Sequence, residues 1–188
     1  VLCFLSSAAE SLAASGEAGK VDQKRNRFIG YLLSKQLPAL HFSDKEVNDE
    51  LAQAAFHLYI KQLDFQKRFL LKKDVKQLSA FAPYIDDNLA NGRITLPDAG
   101  YDILNEKIDQ VQKAVDAMLA NTTVKIPTAA DGVLKVGNFD VRKKESYETD
   151  PEKTDFAEDM AELTERWRKV IKAQIISQFL DLEEEQAK

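Results

Sequence analysis

The sequence predicts a mainly α fold, a bundle of about five helices with a short irregular or β-hairpin excursion near 122–150. Three observations carry that reading. Glycine and proline are scarce, seven and five in 188 residues, too few for an all-β chain built on tight turns. Apolar residues recur at three- and four-residue spacing through most of the chain. Signals that start and stop helices fall at the borders of those stretches.

The first helix is expected over Gln23 to Leu37, with Phe28, Ile29, Leu32, Leu33 and Leu37 on one side and Pro38 ending it. Ser43-Asp-Lys-Glu46 has the form of a capping box, in which a serine accepts from the third amide and a glutamate reaches back. The helix it starts carries Val47, Leu51, Ala54, Ala55 and Leu58, then Phe56, Tyr59, Ile60 and Leu63, and breaks at Asp64-Phe65. A further helix is expected from Lys72 to Ala90, kinked or divided at Pro83 and closed by Asn91-Gly92.

Pro97 opens the strongest helix, since proline is tolerated in a first turn. Its seam of Ile103, Leu104, Ile108, Val111, Val115, Met118 and Leu119 is flanked by Glu106, Lys107, Asp109 and Lys113. Between Thr122 and Pro151 short apolar groups are separated by Pro127, Gly132 and Gly137, a segment long for a bare loop. Asp159-Met-Ala-Glu162 offers a second capping box. The helix after it places Leu163, Trp167, Val170, Ile171, Ile175, Phe179 and Leu182 on one face. Glu183-Glu-Glu185 at its end opposes the helix dipole.

Bulk properties narrow the function classes. At 44% hydrophobic and 30% charged residues the chain is globular in composition and long enough for one domain with a substantial core. Twenty-six basic against 31 acidic residues give a net charge of −5, the opposite of a nucleic-acid binder. No apolar run reaches the length of a transmembrane segment. The single cysteine, Cys3, allows no internal disulfide. Residues 1–20 read as a signal-peptide remnant and N-terminal tail: the run from Val1 to Ala14 begins without Met, no positive charge occurs before Lys20, and Ser11-Leu-Ala-Ala-Ser15 has the small residues of a cleavage region. A periplasmic location, reached through that signal peptide, is the expectation. The competing reading is an amphipathic N-terminus, which Glu10 favours; a lipoprotein signal at Cys3 is disfavoured by bulky Leu2.

No catalytic, cofactor-binding or metal-binding residue is assigned, and binding residues stay unknown. His41 and His57 are too few for a zinc site, and each reads better as a structural or exposed histidine. Asp86 and Asp87 are neighbours on a helix and so point in different directions, which argues against an acid/base pair. Lys67, Arg68, Lys72, Lys73 and Lys76 lie near Phe65 and Phe69, a pattern compatible with stacking and phosphate contacts. In an acidic chain, a solvated helix face is the better account. Trp167, between arginines, reads as a core anchor covered by Arg and Lys stems. There is no glycine-rich phosphate loop and no nucleophile elbow.

Two blocks carry a resemblance. The first is Tyr59-Ile60, Leu63-Asp64-Phe65, Phe69-Leu70 and Asp74-Val75; the second is Tyr147-Glu-Thr-Asp-Pro-Glu-Lys153 followed by Glu162-Leu-x-x-Arg-Trp-Arg-Lys-x-x-Lys172. In this order they resemble the N-terminal helical domain of bacterial tail-specific (carboxy-terminal processing) proteases, with 21–188 as that domain. The resemblance implies a parent serine endopeptidase in which a PDZ module captures substrate C-termini and a Lys base activates a Ser nucleophile. Neither the PDZ nor the catalytic domain is matched here, so no catalytic residue carries over. The implied role is non-catalytic: scaffolding the protease and helping to position protein substrates or a lipoprotein adaptor. A free-standing exported binding or chaperone-like module is the alternative, and an intracellular structural bundle a third. A severed domain predicts that the Ile175-Phe179-Leu182 face lacks a partner, whereas a complete module predicts that it is covered.

Overall fold

The computed structural model describes residues 23–40, 48–93, 95–120, 135–136, 139–140 and 143–186, and is mainly α. In chain order the helices are α1 (Gln23–Leu40), α2 (Asp49–Leu63), α3 (Lys72–Ser79), α4 (Ile85–Ala90), α5 (Thr95–Leu119) and α6 (Met160–Gln186). A 3-10 turn at Ala82–Tyr84 precedes α4, and strands β1 (Lys135–Val136) and β2 (Phe139–Asp140) form an antiparallel pair with Val136 opposite Phe139. The β-hairpin excursion and the division of the 72–90 helix at Pro83 both match the sequence reading.

The chain forms two compact units. One takes in α1, the start of α2 to Ala55, and Phe81–Pro97; the other comprises Phe56–Ala80 and the chain from Asp98 onward. In the first unit Gly92 closes α4 with a φ of +62°, a left-handed conformation costly for other residues. Its N–H donates to the Leu89 carbonyl and that of Arg93 to the Asn88 carbonyl, the double bond pattern that satisfies a helix's last carbonyls. A Cβ on Gly92 would stand 2.5 Å from the Arg27 carbonyl of α1, so the cap is also a close approach of the two helices.

Several expectations need correction. α1 runs two residues past Pro38, which withholds one N–H from the helix's ladder without ending it. Its expected apolar face is largely exposed: Phe28, Ile29 and Leu33 face solvent and Leu32 is half-buried, the Leu37 side chain lies outside the described set, and among the described positions of α1 Gly30 is the buried one. The Ser43–Glu46 box lies outside the described residues; α2 starts at Asp49, with the Asn48 side chain accepting from the Leu51 N–H. On α2 the buried seam is Ala52, Phe56 and Ile60, while Leu51 and Leu58 are exposed. Two apolar stripes compete on that helix, and spacing alone does not say which faces inward.

The core of the second unit gathers Leu71, Val111, Ala157 and Leu163, with Phe69, Val115, Met160 and Trp167 packed around them. The predicted seams of α5 and α6 supply four of these eight. Gly100 of α5 lets Tyr59 of α2 come close, since a Cβ there would lie 2.0 Å from the phenol oxygen. Burial, then the Asp98 charge, push the Tyr59 phenol pKa up. Lys107, expected on the solvated flank of α5, is buried instead. Glu183–Glu185 remain helical, whereas the side chains of Phe179 and Leu182 lie outside the described set. Of the remaining C-terminal face, Ile175 is half-buried, and neighbouring Leu180 is exposed.

Candidate functional site

The Leu63-Asp64-Phe65 break is a corner organised by one buried carboxylate. One Asp64 oxygen accepts the Arg68 N–H at 2.9 Å; the other accepts those of Phe69 and Leu70 at 2.9 and 2.8 Å. A helix end followed by a reversal leaves main-chain donors unpaired, and an aspartate at the break satisfies three of them. Lys67, at φ +51°, makes the reversal. A second carboxylate restarts the chain as α3. The Leu71 N–H donates to Asp74 Oδ2 at 2.8 Å, and the Asp74 N–H donates to the Leu71 carbonyl. Asp74 Oδ2 also lies 3.4 Å from the Lys107 ammonium of α5, and both side chains are buried. The cation deep in α5 therefore has its counter-ion in the first sequence block.

The second block closes on that corner. Trp167 donates its indole N–H to the Arg68 carbonyl at 2.8 Å across 99 residues of sequence. Its ring lies 5.9 Å from Phe69, with the Arg68 guanidinium 6.0 Å from its centroid. The expectation of an anchor covered by a cationic stem holds. Asp159 caps α6 by accepting the Glu162 N–H at 2.9 Å. The reciprocal half differs from a capping box, because Glu162 reaches past Asp159 to the Glu158 N–H. That bond, followed by the Arg166 guanidinium, holds Glu162 below the usual carboxylate range. Further along α6, Arg168 and Lys172 converge on Glu145 at 2.7 and 2.6 Å, with Lys143 at 3.2 Å. The hydrogen bonds from Arg168 and then Lys172 lower the Glu145 pKa to about 2. Lys172 also donates to the Lys143 carbonyl at 2.5 Å.

The basic cluster is mostly committed inside the molecule. An acidic segment from Asp150 to Asp159 runs along it, joined by a single parallel bridge between Leu71 and Ala157. Lys61 pairs with Glu152 at 3.0 Å, Lys72 with Glu158, and Lys67 donates to the Thr154 carbonyl while standing 5.6 Å from the Phe156 ring centroid. The solvated-face reading thus holds for Lys73 and Lys76, whereas Lys67, Arg68 and Lys72 have partners. Between this strap, the end of α2 and α3 runs a groove of about 580 Å³, lined by Phe56, Ile60, Phe65, Val75 and Phe156 and by Lys61, Lys67, Lys72 and Lys76. A more polar hollow of about 430 Å³ lies on the other side of the corner, beside Trp167, Arg166, Tyr147 and Asp155.

A family model for the tail specific protease N-terminal domain matches residues 33–188. The chain belongs to that family. No curated protein and no solved structure matches it. The chain is thus a protease-associated N-terminal module. Within the tail specific protease N-terminal domain, both sequence blocks that carried the resemblance have structural work: Asp64 and Asp74 hold the corner, and Trp167 ties α6 to it.

The remaining candidates do not assemble. His57 is exposed and packs edge-on against Phe56, 5.8 Å between ring centroids. His41 and Cys3 lie outside the described residues. Asp86 is half-buried, with one carboxylate oxygen lacking a hydrogen-bond partner, and Asp87 is exposed. Among the described residues no three His, Cys, Asp or Glu side chains converge as a metal site, and no helix is long and apolar enough to cross a membrane. What the arrangement offers chemically is a binding surface with an apolar floor and a cationic edge. Sequence reasoning named Asp64, Asp74 and Lys107 without their roles and missed Glu145. Only Asp64 had a local signal, an aspartate at a helix break followed by a reversal.

Proposed function

We propose that this domain is the scaffold of a periplasmic C-terminal processing serine endopeptidase. It holds the substrate-capturing and catalytic parts of the parent in register and helps to position protein substrates or a lipoprotein adaptor. The observation that carries this reading is the interlock of the two sequence blocks. Trp167 on α6 grips the Arg68 carbonyl, so the helix on which the second block ends is tied to the corner. A helix anchored at one end and continuing through Glu183–Glu185 suits the transmission of position rather than chemistry. The free-standing binding module stays as a second reading because of the groove beside α3, which suits a peptide.

The test compares the parent protease with and without this domain on a substrate ending in apolar residues. Loss of cleavage on deletion, with partial recovery when the domain is added in trans, is the expected result. Full activity and unchanged thermal stability of the truncated enzyme would overturn the scaffold reading. Osmotic-shock fractionation of the source cells checks the periplasmic location, which fails if the protein stays with the cytosolic fraction.

A further inference from the structure

The lysines along the groove are unevenly used. Glu152, Phe156 and Glu158, an acid, an aromatic and an acid of one passing segment, meet Lys61, Lys67 and Lys72 in turn. Lys76 is the next cation along, one turn further on α3 and on the same groove. It is exposed and has no ion pair among the described residues. The carboxylates that face the groove are already spent: Asp64 on three main-chain N–H groups and Glu152 on Lys61. The groove therefore keeps a surplus of positive charge beside an apolar floor, on a chain whose net charge is −5.

We infer that this groove docks an acidic, apolar-rich segment of another polypeptide, lying beside the strap it imitates. A carboxylate side chain of that segment pairs with Lys76, and neighbouring apolar side chains cover Phe65, Val75 and Phe156. The intramolecular strap shows the complementarity already at work on the adjacent lysines. A side-chain carboxylate, rather than a chain terminus, is the matching group, because Glu152 and Glu158 are what the other lysines take. This inference goes beyond the scaffold reading and does not depend on it, since it concerns binding by the isolated chain.

The experiment is fluorescence anisotropy of the 188-residue chain with a fluorescein-labelled dodecapeptide alternating Glu with Leu and Phe, its C-terminus amidated. Saturable binding is expected, weakened about fivefold by Lys76→Glu and less by Lys76→Ala, as for a half-exposed ion pair. Lys113→Glu, on α5 and away from the groove, leaves it unchanged. Circular dichroism confirms that the variants fold, which an exposed helical lysine permits. The proposal fails if Lys76→Glu binds as tightly as the parent or if a Gln-for-Glu peptide binds equally well. It also fails if only the free-acid form of the peptide binds. Charge-dependent capture of phosphatidylglycerol vesicles without peptide binding would make the occupant a membrane. Self-association abolished by Lys76→Glu would make it a second copy.

Discussion

The corner at 63–75 and the strap at 150–159 use the same chemistry, carboxylates meeting N–H groups and lysines, and differ in burial. Asp64, Asp74 and Lys107 are each about 95% buried, and their partners are main-chain donors or one another. Glu152 and Glu158 are exposed, and so are the lysines they meet. In water, an ion pair competes with solvation and gains little; in the core, each unpaired polar group carries its full desolvation cost. The corner therefore determines whether the unit folds, and the strap adjusts what its surface presents.

The sharpest way to break that contrast is Lys107→Ala, which strands Asp74 in the core and is expected to cost about 3–5 kcal/mol in chemical denaturation. Pairing Lys107→Met with Asp74→Asn restores much of that loss if desolvated charge, and not packing, is responsible. Asp64→Ala frees three main-chain N–H groups and is expected to cost about 3 kcal/mol, while Asp64→Asn, which keeps one acceptor oxygen, costs less. Trp167→Phe removes the indole donor to the Arg68 carbonyl and some ring area, a loss of about 1–2 kcal/mol.

Glu145 stands between the two regimes, half-buried and held by three cations, and pH separates it from both. Its folded pKa of about 2 lies below the ordinary 4.5, so its contribution is complete above about pH 4.5 and disappears as pH falls toward 2. Acid titration of stability is expected to show that decline, and Glu145→Gln to flatten it. The smallest effect belongs to the strap: Lys61→Ala or Lys72→Ala leaves the denaturation midpoint nearly unchanged, and 1 M salt erases any difference. A larger loss there would mean that the strap is structural, and the contrast would collapse.

The helices were legible because local signals decided them. Pro83 divides α3 from α4, Gly92 caps α4, and Pro97 sits in the first turn of α5. The hairpin was legible as apolar residues broken by glycine and proline. Which face of α1 and α2 turns inward was not, because both carry competing apolar stripes and tertiary packing chose between them. Lys107 was unreadable for a related reason: a lysine within an apolar seam looks like a flank until a counter-ion 33 residues earlier is placed beside it. Glu145 carried no local cue, as its three cations lie on another element and two residues upstream. The basic run looked like one surface in sequence, yet only the strap, distant in the chain, divides its used lysines from its exposed ones.

The corner's side chains mostly hold main chain. Asp64 takes the N–H groups of residues 68, 69 and 70, Asp74 that of residue 71, Trp167 the carbonyl of 68, and Lys172 the carbonyl of 143. A backbone amide is the same atom set whatever residue owns it, so these bonds place no demand on the identity of the gripped positions. They demand spacing: one inserted or deleted residue between 64 and 68 hands the Asp64 bonds to the wrong neighbours, and a proline at 69 or 70 deletes a donor outright. The joint is permissive to substitution and strict about length.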